Sequence, residues 1–117
     1  MAESKSEILQ GTLDLMVLQT LAAMGPMHGY GIARRIEQLS ENALAVNQGT
    51  IYLCLIRLVQ RKWIKAVWGT SENNRKAKFY SITKAGQKQL KIEAEGWERV
   101  SGVIGRLLQL TPGGKTS

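Results

Sequence analysis

Between Trp63 and Ile82 the spacing of apolar residues changes from a helical repeat towards a repeat of two, and few folds accommodate such a switch at this point of a chain. Ile64, Val67 and Trp68 form one run, and Phe79, Tyr80 and Ile82 form another. Between them lies Gly69-Thr70-Ser71-Glu72-Asn73-Asn74-Arg75, a stretch of turn formers. The pattern predicts a β-hairpin with a polar, basic tip.

The residues before the hairpin read as helices. From Thr12 to Met24, Leu13, Met16, Val17, Leu21 and Met24 follow the spacing of a helix with one buried stripe. Thr12 and Asp14 sit near its expected start, where a cap and a negative charge are favoured, and Gly25-Pro26 ends it. A turn at Met27-His28-Gly29 leads into a second helix from about Tyr30 to Leu39. Its Ile32, Ile36 and Leu39 are expected inward, with Arg34 and Arg35 outward. Residues 40–48 form a polar connection with a short extended piece around Leu44 to Val46, and a third helix is expected from about Gly49 to Lys62. After the hairpin, Thr83 caps a final helix from about Lys84 to Leu110, ended by Pro112-Gly113-Gly114.

Three helices followed by a two-stranded hairpin is the winged helix-turn-helix order. The expected fold is mostly α with a small β-hairpin (α+β), followed by a long C-terminal dimerisation helix. A length of 117 residues suits one such domain at residues 8–83, the added helix at 84–110 and a flexible tail at 111–117.

Charge narrows the function. The net charge is +7. Residues 47–91 carry ten Lys or Arg against one acidic residue, whereas residues 1–46 carry three against five and residues 92–117 three against three. Apolar residues are threaded through the central block, so it reads as a folded basic surface, and a concentrated positive field attracts a polyanion. No stretch approaches the roughly 20 apolar residues of a membrane span. The polar N-terminus, Met1 to Glu7, lacks a signal-peptide pattern. The lone Cys54 suits a reducing cytoplasm.

Reading DNA falls to the third helix. With a step of about 100° per residue, Ile51, Leu55, Leu58 and Lys62 share one face, flanked by Cys54 and Val59. The opposite face carries Leu53, Ile56, Arg57 and Gln60. Arg57 and Gln60 offer hydrogen bonds to base edges in a major groove, and Leu53 offers apolar contact to a thymine methyl. Gln48 precedes the helix start. The backbone N–H groups around Gly49-Thr50-Ile51, with the hydroxyls of Thr50 and Tyr52, suit a phosphate. Asn73, Asn74, Arg75, Lys76 and Lys78 form the wing, which lies along the backbone or enters a minor groove. The hydroxyls of Tyr30 and Tyr52 suit a phosphate and their rings suit a helix crossing; the sequence leaves both open for each.

The last helix carries two apolar stripes. Leu90, Ala94, Trp97, Ser101, Ile104 and Leu108 recur at alternating spacings of four and three, a coiled-coil seam. Ile92, Val100, Val103, Leu107 and Leu110 make the second stripe. Two faces need two covers, the helix's own domain and another subunit, so a homodimer is expected. Gly96, Gly102 and Gly105 each cost about 1 kcal/mol of helix propensity and fit a closely packed interface.

Gly29-Tyr30-Gly31-Ile32, Gly49-Thr50-Ile51-Tyr52, Arg57-Leu58 and Lys78-Phe79-Tyr80-Ser81-Ile82-Thr83-Lys84-Ala85-Gly86 resemble the PadR family of bacterial transcriptional regulators. Leu9 to Leu15, Met27 to Ile36 and Trp68 to Arg75 are similar to the group of that family described from acidobacteria. The resemblance, spanning about Leu9 to Leu108, implies a homodimer that binds a double-stranded DNA operator and usually represses. Some short members hold flat aromatic molecules between paired tryptophans, which makes Trp97 a candidate contact for a small aromatic effector; its other reading is a tryptophan filling the interface. Where the family commonly has proline after the tyrosine of the third helix, this chain has Leu53-Cys54, a departure that bears on the shape of the reading surface.

Other residues point to no chemistry. His28 and Cys54 have no nearby ligand partners for a metal, and no cofactor motif is visible. Trp63 and Trp68 read as packing anchors of the first wing strand. Without a nucleophile–base pattern or paired carboxylates, no enzyme is expected. The competing expectation is a winged-helix module that binds an acidic protein.

Overall fold

The computed structural model describes residues 2–41 and 43–115. Asn42 of the expected connection and Thr116-Ser117 of the expected tail lie outside the described residues. The elements follow in the order α1 (Ala2–Met24), β1 (Met27–His28), α2 (Gly29–Leu39), α3 (Gln48–Gln60), β2 (Ile64–Thr70), β3 (Lys76–Ile82) and α4 (Lys84–Leu108). This is the mostly helical, winged-helix order, with a long helix after the wing.

Four elements differ from the sequence reading. Helix α1 begins at Ala2, so Asp14 lies in mid-helix rather than at an N-terminus. Residues 2–11 carry good helix formers without an apolar stripe. Met27-His28 form a strand instead of a turn, pairing antiparallel with Tyr80 and Phe79 in a sheet of order β1-β3-β2. No strand forms at Leu44–Val46; there the Glu37 carboxylate accepts from the N–H of Val46, and Ser40 Oγ accepts from that of Leu44. Helix α3 stops at Gln60, and Lys62 takes a left-handed φ of 65°. The N–H of Lys62 then returns to the Val59 carbonyl and that of Trp63 to Leu58, a Schellman ending.

The core sits where α1, α2 and α3 meet the sheet. Leu13, Val17, Leu18 and Leu21 of α1 pack with Ile32 and Ile36 of α2, Ile51, Cys54, Leu55 and Leu58 of α3, and Ile64 and Tyr80 of the sheet. Leu39, expected inward, is 74% exposed, because α2 ends beside it and leaves it past the packed turn.

The wing strands pair from Ile64–Ile82 out to Thr70–Lys76. Side chains two residues apart along a strand point to the same face. Ile82 and Tyr80 therefore share a row with Lys78 and Lys76, which starts at the core and continues past it as a cationic edge. At the tip Asn74 adopts a φ of 59°, a conformation asparagine tolerates, and its N–H closes a turn onto the Ser71 carbonyl.

One junction joins α3, the wing and α4. Thr83 donates its backbone N–H to the Trp63 carbonyl, its hydroxyl lies 2.8 Å from the Lys62 carbonyl and 3.0 Å from that of Trp63, and its Oγ1 accepts from the N–H of Gly86, capping α4 as expected. A Cβ on Gly86 would lie 1.9 Å from the Trp63 carbonyl oxygen, so no side chain fits unless the wing and α4 move apart. Gly86→Ala is expected to cost about 3 kcal/mol of stability, read by denaturant unfolding. A cost below about 1 kcal/mol would show that this junction yields easily.

Candidate nucleic-acid interface

The amphipathic pattern of α3 divides it as the spacing requires. Ile51, Cys54, Leu55 and Leu58 are buried, while Tyr52, Leu53, Ile56 and Gln60 face out. Leu53 is 63% exposed and Tyr52 57%. Exposed leucine and tyrosine on a helix flanked by cations is an arrangement suited to methyl groups and base edges in a groove.

Tyr30, Gln48, Gly49, Thr50, Tyr52, Leu53, Gln60, Asn73, Asn74, Arg75, Lys76 and Lys78 are all exposed. Seven of them, Tyr30, Gln48, Tyr52, Asn73, Arg75, Lys76 and Lys78, meet around one open cleft of about 490 Å³ between the wing, α3 and the start of α2. Leu53 and Gln60 lie outside that cleft, further round α3. Trp68, expected as a packing anchor, is 65% exposed; its ring lies 5.5 Å from Lys78 Nζ and steadies that cation on the wing. Trp63 does pack against the core, with Arg61 over its ring.

Two local expectations change. The N–H groups at the start of α3 are taken: Asn47 Oδ1 accepts from Gly49 and Thr50, and the Asn47 carbonyl accepts from Ile51. A phosphate there would meet the side chains of Gln48 and Thr50 rather than bare N–H groups. Arg57 is not on the outer face. Its guanidinium turns to α1 and pairs with Asp14, whose Oδ1 also accepts from the Cys54 thiol at 3.1 Å. Helical spacing places Arg57 at the border of the outer face, and the distant Asp14 draws it inward.

His28, read from sequence as a turn residue without a role, does two things. Its Nδ1 accepts from the N–H of Gly31 at 3.0 Å, capping α2, and the residue lines the cleft. Phe79 meets its ring edge-on and Tyr30 stacks beside it. Histidine is outside the usual capping set, so sequence offered little signal.

Helix α4 packs on α1. Leu90 contacts the core, and Ala94 and Trp97 line a groove of about 510 Å³ with Leu15, Met16, Leu39 and Leu44. Beyond it Val100, Val103, Ile104, Leu107 and Leu108 are exposed, and Ser101 is half-buried. Among the described residues no group of three or more potential ligands could hold a metal, and no helix is long and apolar enough to cross a membrane.

Burial, then the hydrogen bond to Asp14, pushes the Cys54 thiol far above its ordinary value. Its stabilising effect is full below the ordinary thiol pKa and is lost as pH rises, since only the unfolded chain then ionises. Iodoacetamide at about pH 8 is expected to leave the native protein unlabelled and to modify Cys54 once denaturant unfolds it, by mass spectrometry. Rapid native labelling would contradict this burial.

Residues 17–92 match the transcriptional regulator PadR-like family, from the second half of α1 through the first turns of α4. The uncharacterised protein X of Lysinibacillus sphaericus is 28% identical over 100 residues, covering 86% of this chain and 91% of that one. A transcriptional regulator from Clostridium thermocellum superposes with a TM-score of 0.77 at 28% identity, over 85% of this chain and 95% of its own. A PadR-like transcriptional regulator from Bacillus cereus also superposes at 0.77 and 28% identity, over 90% and 99%. With its family match running from α1 through the wing into α4 and the exposed α3 face set beside a cationic wing, the chain belongs to the PadR-like family of DNA-binding transcriptional regulators, which are not enzymes.

Proposed function

We propose that this protein is a homodimeric repressor that binds a palindromic operator and is released by a small aromatic effector. The observation that carries the reading is the cleft where Gln48 and Tyr52 of α3 meet the cations of the wing, with the exposed stripe of Leu53, Ile56 and Gln60 further round the same helix. Leu53, Ile56 and Gln60 read base edges, while Tyr30, Gln48, Thr50, Tyr52, Asn73, Arg75, Lys76 and Lys78 hold the backbone. Two copies pair through the exposed apolar face of α4, where Ile104 is 47% and Leu108 80% exposed. A two-fold pair places its reading helices on half-sites about 34–36 Å apart. Trp97, 51% exposed at the mouth of the α1–α4 groove, is the contact for a flat ligand.

Selection from a random duplex library at near-physiological salt is expected to enrich a palindrome. Affinity for it should fall by about 10³–10⁵ between 50 and 200 mM salt, as six to ten phosphate contacts require. Lys76→Ala should weaken all DNA alike and lower the salt slope by about one, whereas Gln60→Ala should relax preference at one position. A folded dimer that enriches no site would favour an acidic protein partner instead.

For the dimer, Ile104→Glu is expected to give a monomer by light scattering at micromolar concentration. A variant that stays dimeric would move the interface off this face of α4.

A further inference from the structure

Asp14 lies at mid-helix in α1 and accepts two hydrogen bonds from α3, from Arg57 Nη2 and Cys54 Sγ. Cys54 and Arg57 are three residues apart, on neighbouring turns of one side of α3. Elsewhere α1 and α3 share one apolar cluster, to which Leu13, Val17, Leu18 and Leu21 belong with Ile51, Leu55 and Leu58, and apolar burial has no preferred direction. Such a surface holds two helices together but resists rolling and sliding weakly. A charge-assisted hydrogen bond is directional. Arg57 directly follows Ile56 and lies within four residues of both Leu53 and Gln60, so a fixed Arg57 sets where that stripe points. The pair is half-buried, with side chains 27% and 16% exposed, so breaking one partner leaves the other poorly solvated.

We propose that Asp14 is a positioning residue for DNA reading: it holds Arg57 and Cys54, sets the roll of α3 on α1, and keeps Arg57 on the protein when the operator binds. This rests on the reading of α3 as the base-reading helix. Arg57 then acts from behind the reading face, and DNA meets Leu53, Ile56 and Gln60.

The test compares Asp14→Asn, Arg57→Gln, the double variant and Arg57→Lys in the full-length protein. Affinity is measured for the selected operator and for random duplex across a salt series, with melting recorded for each variant. Asp14→Asn and Arg57→Gln should each lower the operator-over-random ratio by about tenfold, spread over all positions of the half-site. The double variant should lose no more than Arg57→Gln alone, as for two members of one contact. Arg57→Lys should recover part of the ratio, and no variant should change the salt slope. A pair that merely stabilises the fold would lower the melting temperature and leave the ratio of the folded protein untouched, which overturns the proposal. So does an Arg57→Gln variant whose salt slope falls by about one, or whose preference relaxes at one base pair, because Arg57 would then be touching DNA. If Arg57→Gln does not fold, Asp14→Asn and Arg57→Lys carry the same comparison. A wild-type protein that selects no site overturns the reading of α3 and this proposal together; a selective wild type with equally selective variants overturns this proposal alone.

Discussion

The Trp63 carbonyl accepts from the N–H of Thr83, with the Thr83 hydroxyl 3.0 Å away, and the first turn of α4 lies against it at a glycine. Because the Schellman ending of α3 delivers Trp63 to that place, one small backbone contact orients three elements at once. The wing leaves on one side, α4 on the other, and α3 ends between them. The geometry of the cleft relative to the exposed half of α4 follows from it. A family of DNA-binding regulators needs that relation fixed, and here it is fixed by hydrogen bonds and close approach rather than by apolar contact alone.

The cleft and the far half of α4 differ in physical character. Around the cleft, cations stand among tyrosines and amides, with one lysine resting on an exposed tryptophan. On α4 the exposed residues from Val100 to Leu108 include five large aliphatic side chains and few charges. The first surface suits a hydrated polyanion and the second a dry protein face.

Most of the architecture was legible because it is written in local periodicity. The change of period at Trp63 and the threonine before Lys84 predict what is found, and so do the turn formers after Trp68, except that Gly69 and Thr70 continue the first wing strand and the turn starts at Ser71. What was missed depends on contacts between distant residues or on weak local signals. The strand at Met27-His28 is too short to have a period and exists because β3 offers it an edge. Arg57 sits at a border of the helical wheel, and only the fold brings Asp14, from another helix, within reach of it. The cap supplied by Asn47 was readable in principle, since asparagine before a helix is a strong signal, but it changes which groups at the start of α3 remain for a phosphate. The first turns of α1 lack an apolar stripe and so left no periodic trace.

The row that runs from Ile82 through Tyr80 to Lys78 and Lys76 has a further consequence for how proteins of this shape diverge. Strand side chains alternate, so adding two residues to each wing strand extends the reach by about 7 Å and leaves every inner side chain in place. Adding one residue between Tyr80 and Lys78 turns everything beyond it to the opposite face, so the cations leave the row that the core begins. Wing length is therefore free to vary in steps of two, and the footprint of such a protein can lengthen without a single change in its interior.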